Sequence, residues 1–183
     1  MGPEPPHPAL RADLSPLGRG VARGHGFHHN KHWILTVPHI VKSTILDAPT
    51  DAVWDVLRDF NGHDRWHPAV ASSGIERAQP SDKIGCVRRF KLKDGAELRE
   101  QLLALSDLEQ SFSYCLLDTP VPMFNYVAHV RLLPVTDGDR TFWHWESRFT
   151  TRPEDTDRIA HMVSEDIYQA GFEAIRRHLK EAA

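Results

Sequence analysis

Residues 140–179 read RTFWHWESRFTTRPEDTDRIAHMVSEDIYQAGFEAIRRHL, and the change of period inside this stretch decides the fold. Up to Thr150 the side chains alternate, with Trp145, Ser147 and Phe149 on one face and His144, Glu146 and Arg148 on the other, as in a half-buried strand. Beyond Pro153 the stripe Ile159, Val163, Ile167, Ala170, Ala174 and His178 or Leu179 recurs at helical spacing, which predicts a long helix over about residues 153–180. Thr151 and Glu154 have capping-box spacing in front of it.

Upstream, residues 124–135 form a hairpin with 140–150 around Thr136-Asp137-Gly138-Asp139. Centring it on Gly138-Asp139 pairs Ala128 with Phe149, Val130 with Ser147 and Leu132 with Trp145 on an apolar face. His129, Arg131, His144 and Glu146 fall on the opposite, solvent face, so His129, His144 and Glu146 are not expected to be catalysts. Residues 111–118 supply a strand with Phe112, Tyr114 and Leu116, ended by Pro120-Val121-Pro122. Gly85–Leu92 and Glu97–Leu105 make another hairpin through Lys93-Asp94-Gly95-Ala96. A two-residue loop there pairs Arg89 with Glu100. A three-residue loop with a glycine bulge instead gathers Arg88, Phe90 and Leu92 with Leu98, Glu100 and Leu102, and is preferred because it collects the apolar residues on one face. The first strand runs over Ile40–Asp47 and Ala48-Pro49-Thr50-Asp51 stops it. A short helix with Val53, Trp54, Leu57 and Phe60 inward follows, with Pro49 in its first position, and then a helical piece over His63–Val70. Strand, two short helices, about six strands and a long helix make an α+β order.

Residues 1–32 hold five of the 13 prolines, five of the 11 glycines and five of the 12 histidines with no apolar period, and read as a flexible N-terminal arm before a domain over 33–183. Gly18, Gly20 and Gly24 lack the spacing and the preceding strand of a dinucleotide fingerprint. His25, His28, His29 and His32 offer only opportunistic chelation. The 183 residues carry 22 Lys and Arg against 25 Asp and Glu, a net charge of −3, which leaves no electrostatic footprint for nucleic acid. Cys86 and Cys115 have no paired spacing, the first residues show no apolar leader and no run is long enough for a membrane span, so a soluble, cytoplasmic protein is expected. Nothing separates a monomer from a homodimer.

Ala48-Pro49 before Val53-Trp54, Asp59-Phe60, Trp66, Pro68, Gly85-Cys86-Val87-Arg88, Arg99-Glu100-Gln101-Leu102, Tyr114, Pro120-Val121-Pro122, Asn125-Tyr126, Trp145, Phe149 and Tyr168-Gln169-Ala170-Gly171-Phe172 together resemble the SRPBCC superfamily, in its bacterial polyketide-cyclase-like branch, similar to the MxaD-like proteins. The resemblance spans roughly residues 38–181. It implies a helix-grip fold: a curved seven-stranded antiparallel sheet around the long C-terminal helix, with an elongated cavity between them for an apolar small molecule. It leaves open whether the cavity binds or catalyses, because the fold hosts both.

In the bulged register, Arg88 and Glu100 are near neighbours in an apolar pocket, where neither charge is tolerated unless paired or ligated. They are read either as a salt bridge fixing the sheet or as polar anchors for a ligand, with Glu100 as the candidate general base of a cyclase, dehydratase or lyase. Trp66, Phe90, Leu102, Tyr114, Tyr126 and Trp145 complete the candidate ligand-binding set, Tyr126 foremost among the aromatics because the proline break opens its strand at a cavity mouth. His63 and His67, four apart on one helix face, lack a third ligand, so no metal is assigned and the pair is read as a solvated helix or cavity lid. No cofactor is called for. Hydrolase and nucleotide motifs are absent from the sequence.

Overall fold

The computed structural model describes residues 35–181, so the arm over 1–32 and its histidines lie outside the described residues. Seven strands form one antiparallel sheet: β1 (His39–Leu46), β2 (Val70–Ile75), β3 (Val87–Leu92), β4 (Glu97–Ser106), β5 (Ser111–Asp118), β6 (Met123–Val135) and β7 (Arg140–Thr151), in the order β1-β7-β6-β5-β4-β3-β2. Two short helices, α1 (Thr50–Leu57) and α2 (His63–Trp66), follow β1. The C-terminal helical rod runs as α3 (Thr156–His161), a π-helical segment (Met162–Gln169) and α4 (Ala170–Glu181). No helix among the described residues is long and apolar enough to cross a membrane.

The β3–β4 hairpin takes the bulged register. Arg88 faces Glu100 and Phe90 faces Leu98, and Leu92 N–H donates to the Ala96 carbonyl at 2.8 Å across Lys93-Asp94-Gly95. Gly95 has φ +95°, a conformation in which a side chain is strained, and this is why the loop closes on three residues with glycine last. The last hairpin departs from expectation by two residues: Ala128 pairs with Ser147, Val130 with Trp145 and Leu132 with Trp143. A four-residue loop over 136–139 shifts the centre, but a shift of two keeps every side chain on its face. Ala128, Val130, Leu132, Trp143, Trp145 and Phe149 are all buried on the concave side, and His129, His144 and Glu146 lie on the other.

Three expectations about helices are corrected. Pro49 occupies the N-cap, not the first turn, with its carbonyl accepting from Val53 N–H at 3.2 Å. The capping box does not form; Thr151 ends β7, fully buried, and its hydroxyl meets those of Thr36 (2.9 Å) and Thr156 (2.8 Å). Of the expected stripe Ile159, Val163 and Ala174 are buried, but Ile167 and Ala170 are only half-buried, and Tyr168, Phe172 and Ile175 take the inward positions beside Ala174. The step of five from Val163 to Tyr168 is the signature of the π segment, which inserts a residue and turns the following helix face by one position. That rotation seats Gly171 against Trp145, where a Cβ would come within 2.9 Å of the indole Cζ3.

The core lies between the concave sheet face and the rod. Trp145 stacks on Tyr168 with ring centroids 4.2 Å apart, and Phe172 meets Trp143 edge-on at 4.7 Å. Aromatic pairs in these arrangements add stability beyond the area they bury.

Candidate functional site

Between β3, β4, the β5–β6 connection and the π segment lies a cavity of about 410 Å³, within the range of small-molecule pockets. Its wall is mostly apolar, with Phe90, Leu98, Leu116, Val121, Met123 and Ile167 contributing. The proline-bearing break before β6 forms one side of it, through Thr119, Pro120 and Val121. Of the residues nominated from sequence, Phe90, Glu100, Tyr114, Tyr126 and Trp145 line it. Arg88 and Trp66 border a separate void of about 10 Å³, room for roughly one water, and Leu102 packs fully buried in the core outside the cavity wall.

Arg88 and Glu100 form a buried ion pair across the hairpin. Arg88 donates from Nε (2.9 Å) and Nη2 (2.5 Å) to a single oxygen, Glu100 Oε2, and from Nη1 to the Phe60 carbonyl (2.5 Å). Its guanidinium lies 4.1 Å from the Phe60 ring centre and 5.3 Å from that of Phe90. Glu100 Oε1 accepts no hydrogen bond from any described residue, and it belongs to a side chain that lines the cavity. Burial pushes the Glu100 carboxyl above the usual carboxylate range, against the opposing pull of the Arg88 charge. The arginine thus lies behind the cavity wall, while the glutamate side chain is part of it.

A chain of hydroxyls covers the adjoining wall. Tyr126 and Tyr168 share a hydrogen bond of 2.9 Å, and Trp145 Nε1 donates to the Tyr114 hydroxyl at 3.2 Å. Burial raises all three phenols well above their ordinary value, so each remains a neutral hydroxyl. Tyr168 was noticed in the sequence only as part of a motif. It lies fully buried behind the cavity wall, bonded to Tyr126, at a position set by the π segment, which strict helical spacing does not reveal.

Of the two readings, a solvated helix or a cavity lid, the first does not hold, because both imidazoles are turned inward. Helix α2 is only four residues long, and His67 at its C-terminal cap is 6% exposed. Both line the cavity, and their rings lie 5.4 Å apart. Burial lowers both imidazoles, His63 furthest, and the Arg88 charge adds to the effect. No cluster of three or more His, Cys, Asp or Glu side chains among the described residues is arranged to hold a metal ion.

The family model for polyketide cyclase / dehydrase and lipid transport proteins matches residues 38–180. The chain belongs to this family. Among solved structures, an uncharacterised protein from Bacillus thuringiensis is 23% identical with a TM-score of 0.70, covering 78% of this chain and 99% of its own. The aromatase/cyclase ZhuI from Streptomyces sp. R1128 is 18% identical with a TM-score of 0.67, covering 80% and 95%. Norcoclaurine synthase from Thalictrum flavum is 14% identical with a TM-score of 0.64, covering 81% and 98%. At these identities the likeness concerns the fold alone, the helix-grip architecture; it is the family match over residues 38–180 together with that fold that fits the SRPBCC superfamily. The comparison with curated proteins returns no match.

Proposed function

We propose that the protein binds an apolar small molecule, of lipid-like, aromatic or polyketide-like character, in the cavity between the sheet and the C-terminal rod. The observation that carries this reading is the 410 Å³ volume walled by apolar side chains with a few convergent polar groups: Glu100 Oε1, the Tyr126 hydroxyl and the His67 ring. Such a wall gains from burying hydrocarbon, at about 25 cal/mol per Å² removed from water, while the polar groups fix orientation.

A second reading is favoured by one specific feature. Glu100 couples an unpartnered oxygen to a carboxyl raised by burial, which are the properties of a general acid or base poised nearer neutral pH than an ordinary glutamate. On this reading the protein is a cyclase, dehydratase or lyase acting on a carbon acid, with Tyr126 donating to the developing oxyanion.

Glu100→Gln separates the two. Titrating the neutral fluorophore N-phenyl-1-naphthylamine into wild-type protein should give saturable one-to-one binding, and Leu98→Trp, which narrows the cavity, should weaken it markedly. Equal binding by wild type and Leu98→Trp would refute the cavity reading. For an identified ligand recovered unaltered, Glu100→Gln should shift affinity by about 1–3 kcal/mol, the range of a charge-assisted hydrogen bond. If the ligand is transformed instead, affinity should hold while turnover drops roughly a hundredfold or more.

A further inference from the structure

An arginine fork fits a carboxylate with one donor on each oxygen. Arg88 does otherwise: its Nε and Nη2 both donate to Glu100 Oε2, and its Nη1 is drawn away to the Phe60 carbonyl. Oε1 is left with no hydrogen-bond partner among the described residues. The polar side-chain atoms sealed off without a partner among those residues are His63 Nδ1, His67 Nε2, Trp143 Nε1 and Ser147 Oγ, and Glu100 Oε1 is not one of them. It therefore keeps accessible surface, on a side chain that is almost wholly buried and lines the cavity. A carboxylate oxygen stranded in an apolar wall is costly until a donor meets it.

The wall does not supply that donor. The Tyr126 hydroxyl is shared with Tyr168, and that of Tyr114 takes the Trp145 N–H. The donor has to come from the guest, and charge restricts its kind. Arg88 already neutralises Glu100 from the far oxygen and cannot give up its proton. An ammonium on Oε1 would add a second cation to a neutral pair, and the other carboxyl groups bordering the cavity, Asp94 and Asp166, are exposed and do not offset it. A ligand carboxylate has no proton to give and would meet Oε1 with like charge. A neutral hydroxyl brings no charge, and its bond to a carboxylate is charge-assisted. The rings of Phe90, Tyr114, Tyr126 and Trp145 on the wall suit a flat aromatic guest carrying that hydroxyl.

We propose that the cavity selects a neutral hydroxylated guest, a phenol above all, whose O–H donates to Glu100 Oε1. The inference rests on the apolar-ligand reading above and deepens it by fixing the ligand's functional group, with Glu100 as the specificity-determining residue.

Two probes of nearly the same shape, 2-naphthol and 2-methylnaphthalene, differ in the donor and test it on the full chain at neutral pH. Apolar burial alone favours the methyl compound, because the hydroxyl must leave water. The expected order is the reverse, with 2-naphthol tighter by about tenfold and (2-naphthyl)methylammonium weaker than either. Glu100→Gln should shift the preference toward acceptors. Arg88 has donors only, so it keeps the amide oxygen and turns the amide NH2 to the cavity. Relative to wild type, the acceptor 2-acetylnaphthalene should then gain on 2-naphthol by roughly tenfold or more. Because that variant could fold poorly, the wild-type order is a test by itself. In wild type, 2-methylnaphthalene binding as tightly as 2-naphthol or tighter, or the ammonium or 2-acetylnaphthalene as the tightest probe, overturns this inference and leaves the cavity reading standing. An unchanged ratio in folded Glu100→Gln overturns it likewise. Failure of all four probes to bind overturns both.

Discussion

Arg88→Met is expected to destabilise the protein by about 3–5 kcal/mol at neutral pH, because it leaves Glu100 as a buried carboxylate with no counter-charge. Glu100 is 6% exposed, and both bonds made to its carboxylate within the protein come from Arg88. Loss of the guanidinium also vacates the Phe60 carbonyl and the contact with its ring. The sign of the pH dependence follows from the direction of the Glu100 shift. Its carboxyl is raised in the folded protein relative to the unfolded chain, so the folded state holds the proton more tightly. Stability from this group is therefore present below the usual carboxylate range and is lost as pH rises through the raised value. Removing Arg88 takes away the one influence that opposes burial, so the window should widen upward and the variant should recover stability on acidification. Urea unfolding of both proteins between neutral pH and the carboxylate range checks this. A loss below about 1 kcal/mol that does not vary with pH would show that Glu100 is not buried as described. Replacing both partners with apolar residues, Arg88→Met with Glu100→Leu, should recover much of the loss, since an apolar pair carries no desolvation penalty.

Trp145→Ala should cost about 3–5 kcal/mol and lower the melting temperature by roughly 10 °C. The indole is 2% exposed, stacks on Tyr168 at 4.2 Å and on Trp143 at 5.5 Å, and closes one side of the cavity. Its removal joins the site to the space it vacates and strips Tyr114 of its N–H donor. Trp145→Phe should cost much less, because most of the packing is retained while the hydrogen bond is not. Differential scanning calorimetry of the pair separates packing from hydrogen bonding. A melting temperature unchanged in Trp145→Ala would contradict the packing of the rod against the sheet.

The parts of this fold legible in the sequence are those fixed by strict local periods. Alternation in residues 140–150 assigned faces correctly even though the hairpin register was displaced, because a two-residue slip conserves parity. Gathering Phe90, Leu92, Leu98 and Leu102 on one face selects the register that brings Arg88 opposite Glu100, and Gly95 with its positive φ closes that loop. The helical period failed where it was extrapolated through the π segment: Ile167 and Ala170 gave way to Tyr168, Phe172 and Ile175. The large aromatics at positions 168 and 172, four apart, were the available signal against Ile167. Spacing alone leaves His63 and His67 between a solvated helix and a cavity lid, because two residues four apart share a helix face without saying whether that face points inward. Their burial comes from the neighbouring Trp66 and from Phe90 and the rod, and the last two are contacts distant in sequence that no local pattern encodes.

Native mass spectrometry of the full chain purified without added ligand tests the central claim most directly. A cavity walled by apolar side chains should retain an apolar guest through purification, so the expected spectrum shows the 20.8 kDa chain with one additional small molecule, releasable by organic solvent and depleted in Leu98→Trp. A spectrum of the bare chain alone, with wild type and Leu98→Trp indistinguishable after incubation with N-phenyl-1-naphthylamine, would contradict the account.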